Sequence, residues 1–258
     1  MNPRLQQLFS LDKQIALVTG SSGGIGLALA RALASAGATV VINGRDGAKV
    51  EAAVETLTAE GLEAFGAAFD VTDHKHVNEA VAWIEAEVGP LDILVNNAGI
   101  QRRGPLEEFE AATWRELMAT NVDAVFYVGQ AAAKPMIARG RGRIINIASV
   151  QSKLARPNIA PYSASKGAVK MLTQGMATDW GKHGLRINAI APGYFRTELN
   201  KALVEDEKFT NWLVERTPMR RWADVAELEG AVVFLASEAS SFVNGHVLYV
   251  DGGITACL

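Results

Sequence analysis

From residue 15 onward, short runs rich in Val, Ile and Thr alternate with longer Ala-rich stretches of helical periodicity, and this alternation most restricts the folds open to the chain. Parallel strands cannot be joined by a tight hairpin, so each run must be carried back across the sheet by the helix that follows it. Strands are predicted at 15–19, 39–43, 63–69, 93–96, 142–148, 186–191 and 246–250, and helices at 24–36, 47–60, 74–88, 111–139, 161–184 and 224–236. The expected fold is α/β: a doubly wound, Rossmann-type sheet of seven parallel strands with helices on both faces. In the fifth predicted helix, Val169, Leu172, Thr173, Met176 and Trp180 fall on one stripe, the face that would lie on the sheet.

A chain of 258 residues fits one large α/β domain, and no Pro/Ser-rich linker, low-complexity tract or internal repeat divides it. With 49% hydrophobic and 21% charged residues it can fill a core and is not a disordered polymer. A formal charge of -3, with the charges scattered, offers nucleic acid no footprint. The single cysteine, Cys257, excludes an internal disulfide framework, fits a reducing compartment, and reads as an incidental tail thiol. No apolar run reaches about 18 residues and residues 1–13 carry no long apolar segment, so a soluble, cytoplasmic protein without membrane span or cleaved signal is expected. Four histidines without metal-ligand spacing leave no metal site to expect. The polar, charged stretch 194–219 interrupts the alternation; it is read either as a substrate loop or as a surface excursion without function.

The first strand runs into Thr19-Gly20-Ser21-Ser22-Gly23-Gly24-Ile25-Gly26, and a helix follows. Glycines at such a turn let backbone N–H groups approach a pyrophosphate, whose charge also favours a helix N-terminus. A glycine loop alone is weak evidence; its place at the first βα turn makes it a candidate dinucleotide site. Tyr162 and Lys166 stand four apart, on one face of a helix. An ammonium near a phenol favours phenolate, so the pair is expected to lower the Tyr162 pKa and make it an acid/base; the alternative is an exposed helical pair. Ser149 closes the fifth strand, where ligands meet a parallel sheet, or else merely forms a turn. Asn96-Asn97-Ala98-Gly99 ends the fourth strand, and Asn121 lies inside the following predicted helix, where Asn is mildly unfavourable. No G-x-S-x-G elbow surrounds a serine, so serine hydrolysis is a poor reading.

Taken in order and spacing, Thr19-Gly20-x-x-x-Gly24-x-Gly26, Asn96-Asn97-Ala98-Gly99, Asn121, Ser149, Tyr162-x-x-x-Lys166 and Pro192-Gly193 resemble the short-chain dehydrogenase/reductase family over residues 11–253. The resemblance implies hydride transfer with a nicotinamide cofactor. Tyr162 would be the acid/base, Ser149 would hold the substrate oxygen, Lys166 would act on Tyr162 and bind ribose, and Asn121 would support a proton-relay water. It implies cofactor contacts at Gly20, Ser22, Gly24, Ile25, Gly26, Asn43, Arg45, Asp70, Val71, Asn97, Ala98, Gly99, Pro192, Gly193, Phe195 and Thr197. The second strand ends Asn43-Gly44-Arg45-Asp46, with Gly44 where NAD enzymes place an acid and Arg45 able to pair with a 2′-phosphate, so NADP(H) is preferred over NAD(H). Against this, Gly23 stands where NADP members often carry a basic residue; Asp46 is read as a helix N-cap rather than a ribose ligand.

Within the family, residues 96–103, 149–152, 191–198, 201–207 and 242–246 are most similar to oxidoreductases of open-chain sugar acids such as gluconate. Such a substrate brings a carboxylate, for which Arg103 is chosen over Arg102, and hydroxyls that Gln151 and Tyr194 would meet beside Ser149 and Tyr162. Two other readings stay open: reduction of another carbonyl, such as a 3-oxoacyl thioester or a steroid-like alcohol, and an inactive dinucleotide-binding module. The family also implies a homotetramer. Residues 125–133 are more apolar than one exposed face requires, or the helix is simply buried in its own subunit.

Overall fold

The structure, a computed structural model, describes residues 2–257; Met1 and Leu258 lie outside the described residues. Seven strands, β1 (Ile15–Val18), β2 (Thr39–Gly44), β3 (Ala64–Ala68), β4 (Leu91–Asn96), β5 (Gly142–Ile147), β6 (Leu185–Pro192) and β7 (Val247–Val250), form one sheet in the order β3-β2-β1-β4-β5-β6-β7. Every neighbouring pair is parallel. The helices are α1 (Pro3–Phe9), α2 (Gly24–Ser35), α3 (Gly47–Ala59), α4 (His74–Trp83), α5 (Ala111–Met118), α6 (Ala124–Arg139), α7 (Ala160–Trp180), α8 (Lys201–Val204), α9 (Glu207–Arg216) and α10 (Glu229–Ala236). The single doubly wound domain expected from the alternation is therefore the one observed.

Alternation along the strands sends side chains to two cores. Ala16 and Val18 of β1, Val40 and Ile42 of β2, and Ile93 and Val95 of β4 face the cluster that holds Leu29 and Leu33 of α2, Leu57 of α3 and Leu235 of α10. Ile15, Leu17, Val41 and Leu94 face the opposite cluster, with Val77 and Val81 of α4, Val128 and Met136 of α6, and Met176 of α7. Each such aliphatic side chain contributes roughly 1.5–3 kcal/mol on burial, which fixes the register that lines up the carboxyl ends of the strands. On α7, Val169, Thr173 and Met176 are buried, while Leu172 and Trp180 are partly so.

Some expectations need correction. The predicted 111–139 helix is interrupted by a π turn at Ala119–Asp123, and the 74–88 helix passes into another at Ile84–Val88. The predicted 224–236 helix begins as a 3-10 turn, Val225–Leu228. The chain also forms α1 before the first strand, with Asn2 as its cap and Pro3 in its first turn. Val125, Val128, Ala131, Ala132 and Ala133 are buried within this chain, which accounts for most of the apolar character of that stretch, while Phe126 stays exposed. Residues 194–219 fold into α8 and α9 after a 3-10 turn, and α9 seats Phe209 beside Tyr194 and Trp222. Asp46 caps α3, accepting from the N–H groups of Ala48 and Lys49. Cys257 is not an idle tail thiol: its Sγ accepts from Arg216 Nη1 at 2.8 Å. Among the described residues, no helix is long and apolar enough to cross a membrane.

Candidate active site

The order of the strands reverses between β1 and β4, and connections leave this point for opposite faces of the sheet. Such a switch opens a crevice at the carboxyl edge. Here it is a cavity of about 480 Å³, lined by residues drawn from Gly20 to Leu203 along the chain. Every residue named from the sequence as a cofactor or substrate contact lines it.

At one end lies the glycine loop. Gly20 and Gly24 have φ of 61° and 57°, left-handed values that favour glycine. A Cβ on Gly26 would lie 2.3 Å from the Gly20 carbonyl oxygen, and one on Gly20 would lie 2.9 Å from Ala98 Cα. Built on Gly23 or Gly24, a Cβ meets nothing within 4 Å, so the loop is open there. No side chain caps the start of α2. Its first N–H groups are thus left for an anion, and the trough fits a pyrophosphate. Asn43 Oδ1 accepts from the Gly20 N–H, while its Nδ2 donates to the carbonyls of Ala67 and Phe69. Asn97 Nδ2 donates to the carbonyls of Thr19 and Gly20. Both amides therefore stitch together the loop that lines the cavity.

At the end of β2, Gly44 leaves no acid, and a Cβ there would sit 3.0 Å from Ser22 Oγ. The Arg45 side chain is 77% exposed, its Nη1 4.0 Å from Asp70 Oδ2. Asp70 uses its other oxygen to accept from the N–H and hydroxyl of Thr72. An exposed guanidinium whose nearest carboxylate lies 4.0 Å away, at a strand end lacking an acid, suits a phosphate on the adenosine ribose. Val71, Pro192, Gly193, Phe195 and Thr197 complete the walls. The Gly193 N–H donates to Val250 at 2.9 Å, and a Cβ on Gly193 would press on Asp251 Cα at 2.8 Å.

In mid-cavity, Ser149 starts the turn after β5 and Tyr162 projects from the first turns of α7. Burial pushes the Tyr162 phenol above its ordinary pKa; the Ser149 hydroxyl and, more weakly, the Arg103 cation pull the other way without prevailing. This corrects the expectation that Lys166 would lower it. The Lys166 Nζ donates to the Ile147 carbonyl at 2.7 Å and lies 5.8 Å from the Tyr162 ring centroid, held by β5 rather than by the phenol. Buried without a carboxylate, the Lys166 ammonium is drawn down to about 8. Asn121 is the one predicted catalytic residue absent from the cavity lining. It is fully buried in the π turn between α5 and α6, where its Oδ1 accepts from the Ile100 N–H and its Nδ2 donates to the Ile100 carbonyl and to Ser165 Oγ. Ser165 in turn donates to the Tyr162 carbonyl, so Asn121 bridges the β4 loop and the Tyr162 turn.

At the far end, Arg103 faces the cavity while Arg102 is turned away, paired with Glu116 at 2.7 Å. Gln151 Nε2 donates to the Tyr194 hydroxyl at 3.2 Å, but its buried Oε1 has no partner. Among the lining residues not assigned from the sequence, two bring unpaired polar chemistry. Gln101 carries a second buried, unpartnered Oε1. Arg156 brings a second guanidinium. The only available signal for Arg156 was a cation in the short loop between Ser149 and Tyr162.

Comparison with known proteins places this geometry in a family. A family model described as enoyl-(acyl carrier protein) reductase matches residues 20–255. Gluconate 5-dehydrogenase of Gluconobacter oxydans is 64% identical over 97% of this chain and 98% of its own. The 5-keto-D-gluconate 5-reductase of Escherichia coli K12 is 54% identical over the same shares. The solved structure of a gluconate 5-dehydrogenase from Burkholderia cenocepacia, in complex with NADP and tartrate, is 57% identical with a TM-score of 0.97, covering 98% of this chain and 100% of that one. The chain belongs to the short-chain dehydrogenase/reductase family.

Proposed function

We propose that the protein is an NADP(H)-dependent oxidoreductase that interconverts D-gluconate and 5-dehydro-D-gluconate. The observation that carries this reading is the chemistry left unsatisfied at the far end of the cavity. There Arg103 has no carboxylate partner among the described residues, and two buried amide oxygens, on Gln101 and Gln151, lack a donor. A polyhydroxy acid supplies one anion and several hydroxyl donors, which complements that set. The acyl chain of a thioester supplies neither. The identity of 64% to a gluconate 5-dehydrogenase supports the same choice.

NADPH, when bound with its pyrophosphate over the glycine loop, would supply the hydride for the substrate C5 carbonyl carbon. Tyr162 donates its phenolic proton to the carbonyl oxygen, so the C=O becomes CH–OH; in the oxidative direction its phenolate takes the proton back. Ser149 holds the same oxygen by its hydroxyl. Lys166, anchored on Ile147, presents an ammonium that would bind the nicotinamide ribose beside Tyr162. Asn121 acts as a positioning residue for the Tyr162 turn, and a proton-relay water beside it is part of this reading. The pyrophosphate would rest on Gly20, Ser22, Gly24, Ile25 and Gly26, and the 2′-phosphate on Arg45. Tyr194 and Gln151 would meet substrate hydroxyls, with residues 194–219 serving as the substrate loop.

A cytoplasmic homotetramer completes the reading, supported by Phe126 on α6 and Met171 on α7, large apolar side chains left exposed in the single chain. The deciding experiment follows NADPH absorbance with 5-dehydro-D-gluconate and, separately, an acetoacetyl thioester. Oxidation with the sugar acid and none with the thioester is expected; the reverse result overturns the assignment.

A further inference from the structure

Two loops meet at the substrate end of the cavity: the one after β4, carrying Arg103, and the one before α7, carrying Arg156. They are joined through the backbone, the Gly104 N–H donating to the Asn158 carbonyl at 3.1 Å. Asn158 holds a left-handed φ of 65°, an uncommon conformation for a residue with a side chain. The two cations feel each other: the Arg156 charge, after partial burial, lowers the Arg103 pKa. Neither forms an ion pair among the described residues, although twelve such pairs occur elsewhere. Arg156 Nε is buried without any partner. Two like charges brought together with a buried donor left over are unfavourable by themselves and become favourable around an anion.

Resting on the sugar-acid reading above, we infer that Arg156 is a second specificity-determining residue, which with Arg103 closes a two-guanidinium clamp on the substrate carboxylate. The Arg156 guanidinium carbon lies 5.3 Å from the centroid of the Phe209 ring. This contact holds the guanidinium in place from α9; it also hydrogen-bonds the Tyr194 phenol, and its buried Nε is the donor left for the anion. The contact also ties the clamp to the 194–219 excursion: Phe209 packs on Tyr194, whose phenol the Arg156 cation pulls down against burial. One carboxylate can accept from both guanidiniums, one oxygen to each, so the cost of losing either is expected to depend on the other.

The test is calorimetric binding of tartrate, a small hydroxy-acid anion, and of uncharged xylitol to the NADP-loaded enzyme, with Arg156→Ala, Arg156→Lys and Arg103→Ala compared. Tartrate affinity should fall tenfold or more in Arg156→Ala and in Arg103→Ala, and by less in Arg156→Lys, with NADP affinity unchanged. In the double variant the two losses should not multiply. Wild-type affinity for tartrate in Arg156→Ala, or no tartrate binding to the wild-type protein, overturns the clamp. Kinetics with 5-dehydro-D-gluconate separate the two claims: if the clamp binds anions as expected but this ketone is not turned over, the substrate assignment fails and the clamp stands.

Discussion

Lys166 Nζ and the carbonyl oxygen of Ile147 are 2.7 Å apart, so the cation is fastened to the last residue of β5 while lying buried beside Tyr162. Burial lowers its pKa from 10.5 in the unfolded chain to about 8 in the folded one. Below pH 8 both states hold the proton and the cost of burying the charge is complete. Between 8 and 10.5 the unfolded chain binds a proton that the folded chain has released, so stability from this residue rises with pH. One proton gives a slope of at most ~1.4 kcal/mol per pH unit. Denaturation of wild type and Lys166→Met at a series of pH values should show the wild type gaining about 3 kcal/mol on the variant from neutral to strongly alkaline conditions. Parallel curves would mean that Lys166 is not buried as a charge.

Tyr162→Phe should lower kcat by at least about 100-fold with NADPH affinity retained. Because burial holds the phenol protonated, kcat/KM for ketone reduction should stay flat through neutral pH and fall only under alkaline conditions, while alcohol oxidation climbs across the same range. Steady-state rates in both directions check this. More than a tenth of wild-type turnover in the variant is incompatible with the role given to Tyr162.

Gly26→Ala places a methyl group 2.3 Å from the Gly20 carbonyl oxygen, a backbone atom held by Asn97. The loop must shift, and the N–H groups above it with it. NADPH affinity, read by fluorescence titration, should drop at least tenfold. Gly23→Ala, which meets nothing within 4 Å, should be the tolerated control.

Arg45→Ala should erase most of the preference for NADPH over NADH, chiefly through the KM for NADPH. A charge-assisted contact of ~1.5–3 kcal/mol corresponds to roughly 10- to 150-fold. Higher kcat/KM with NADH in the wild type, or an unchanged ratio in the variant, would contradict the assignment of the 2′-phosphate to this exposed guanidinium.

Arg103→Ala should slow reduction of 5-dehydro-D-gluconate by roughly 10- to 150-fold in kcat/KM and spare a neutral ketose. Equal losses on both substrates would leave Arg103 with no part in reading the carboxylate.

Much of this could be read along the chain because the physics behind it is local or periodic. The seven strands follow from alternating runs whose two faces both had to be buried, as Val18 and Leu17 show by lying in opposite cores. The glycine loop was legible because left-handed turns and close backbone approach, as at Gly20 and Gly26, admit little else. The spacing of Tyr162 and Lys166 put them on one helical face before any fold was known.

What the chain order could not contain were the outcomes of competition between distant groups. Tyr162 has a raised pKa because burial outweighs Ser149 and Arg103, a balance set by three separate loops. Asn121 left the expected helix for a π turn because Ile100 and Ser165 satisfy its amide there. Asn43 and Asn97 bond the loop through their amides, since buried polar groups take the partners that packing brings. Arg102 and Arg103 are adjacent in sequence, yet Glu116 claims the first and leaves the second to the cavity. Arg156 lies 53 positions from Arg103, and only the Gly104–Asn158 hydrogen bond makes them neighbours. Sequence alone determined the scaffold and the candidate site residues, because periodicity and backbone sterics act over a few residues; tertiary structure decided partners, desolvation and the anion end of the cavity, because electrostatics and burial depend on which segments meet in space.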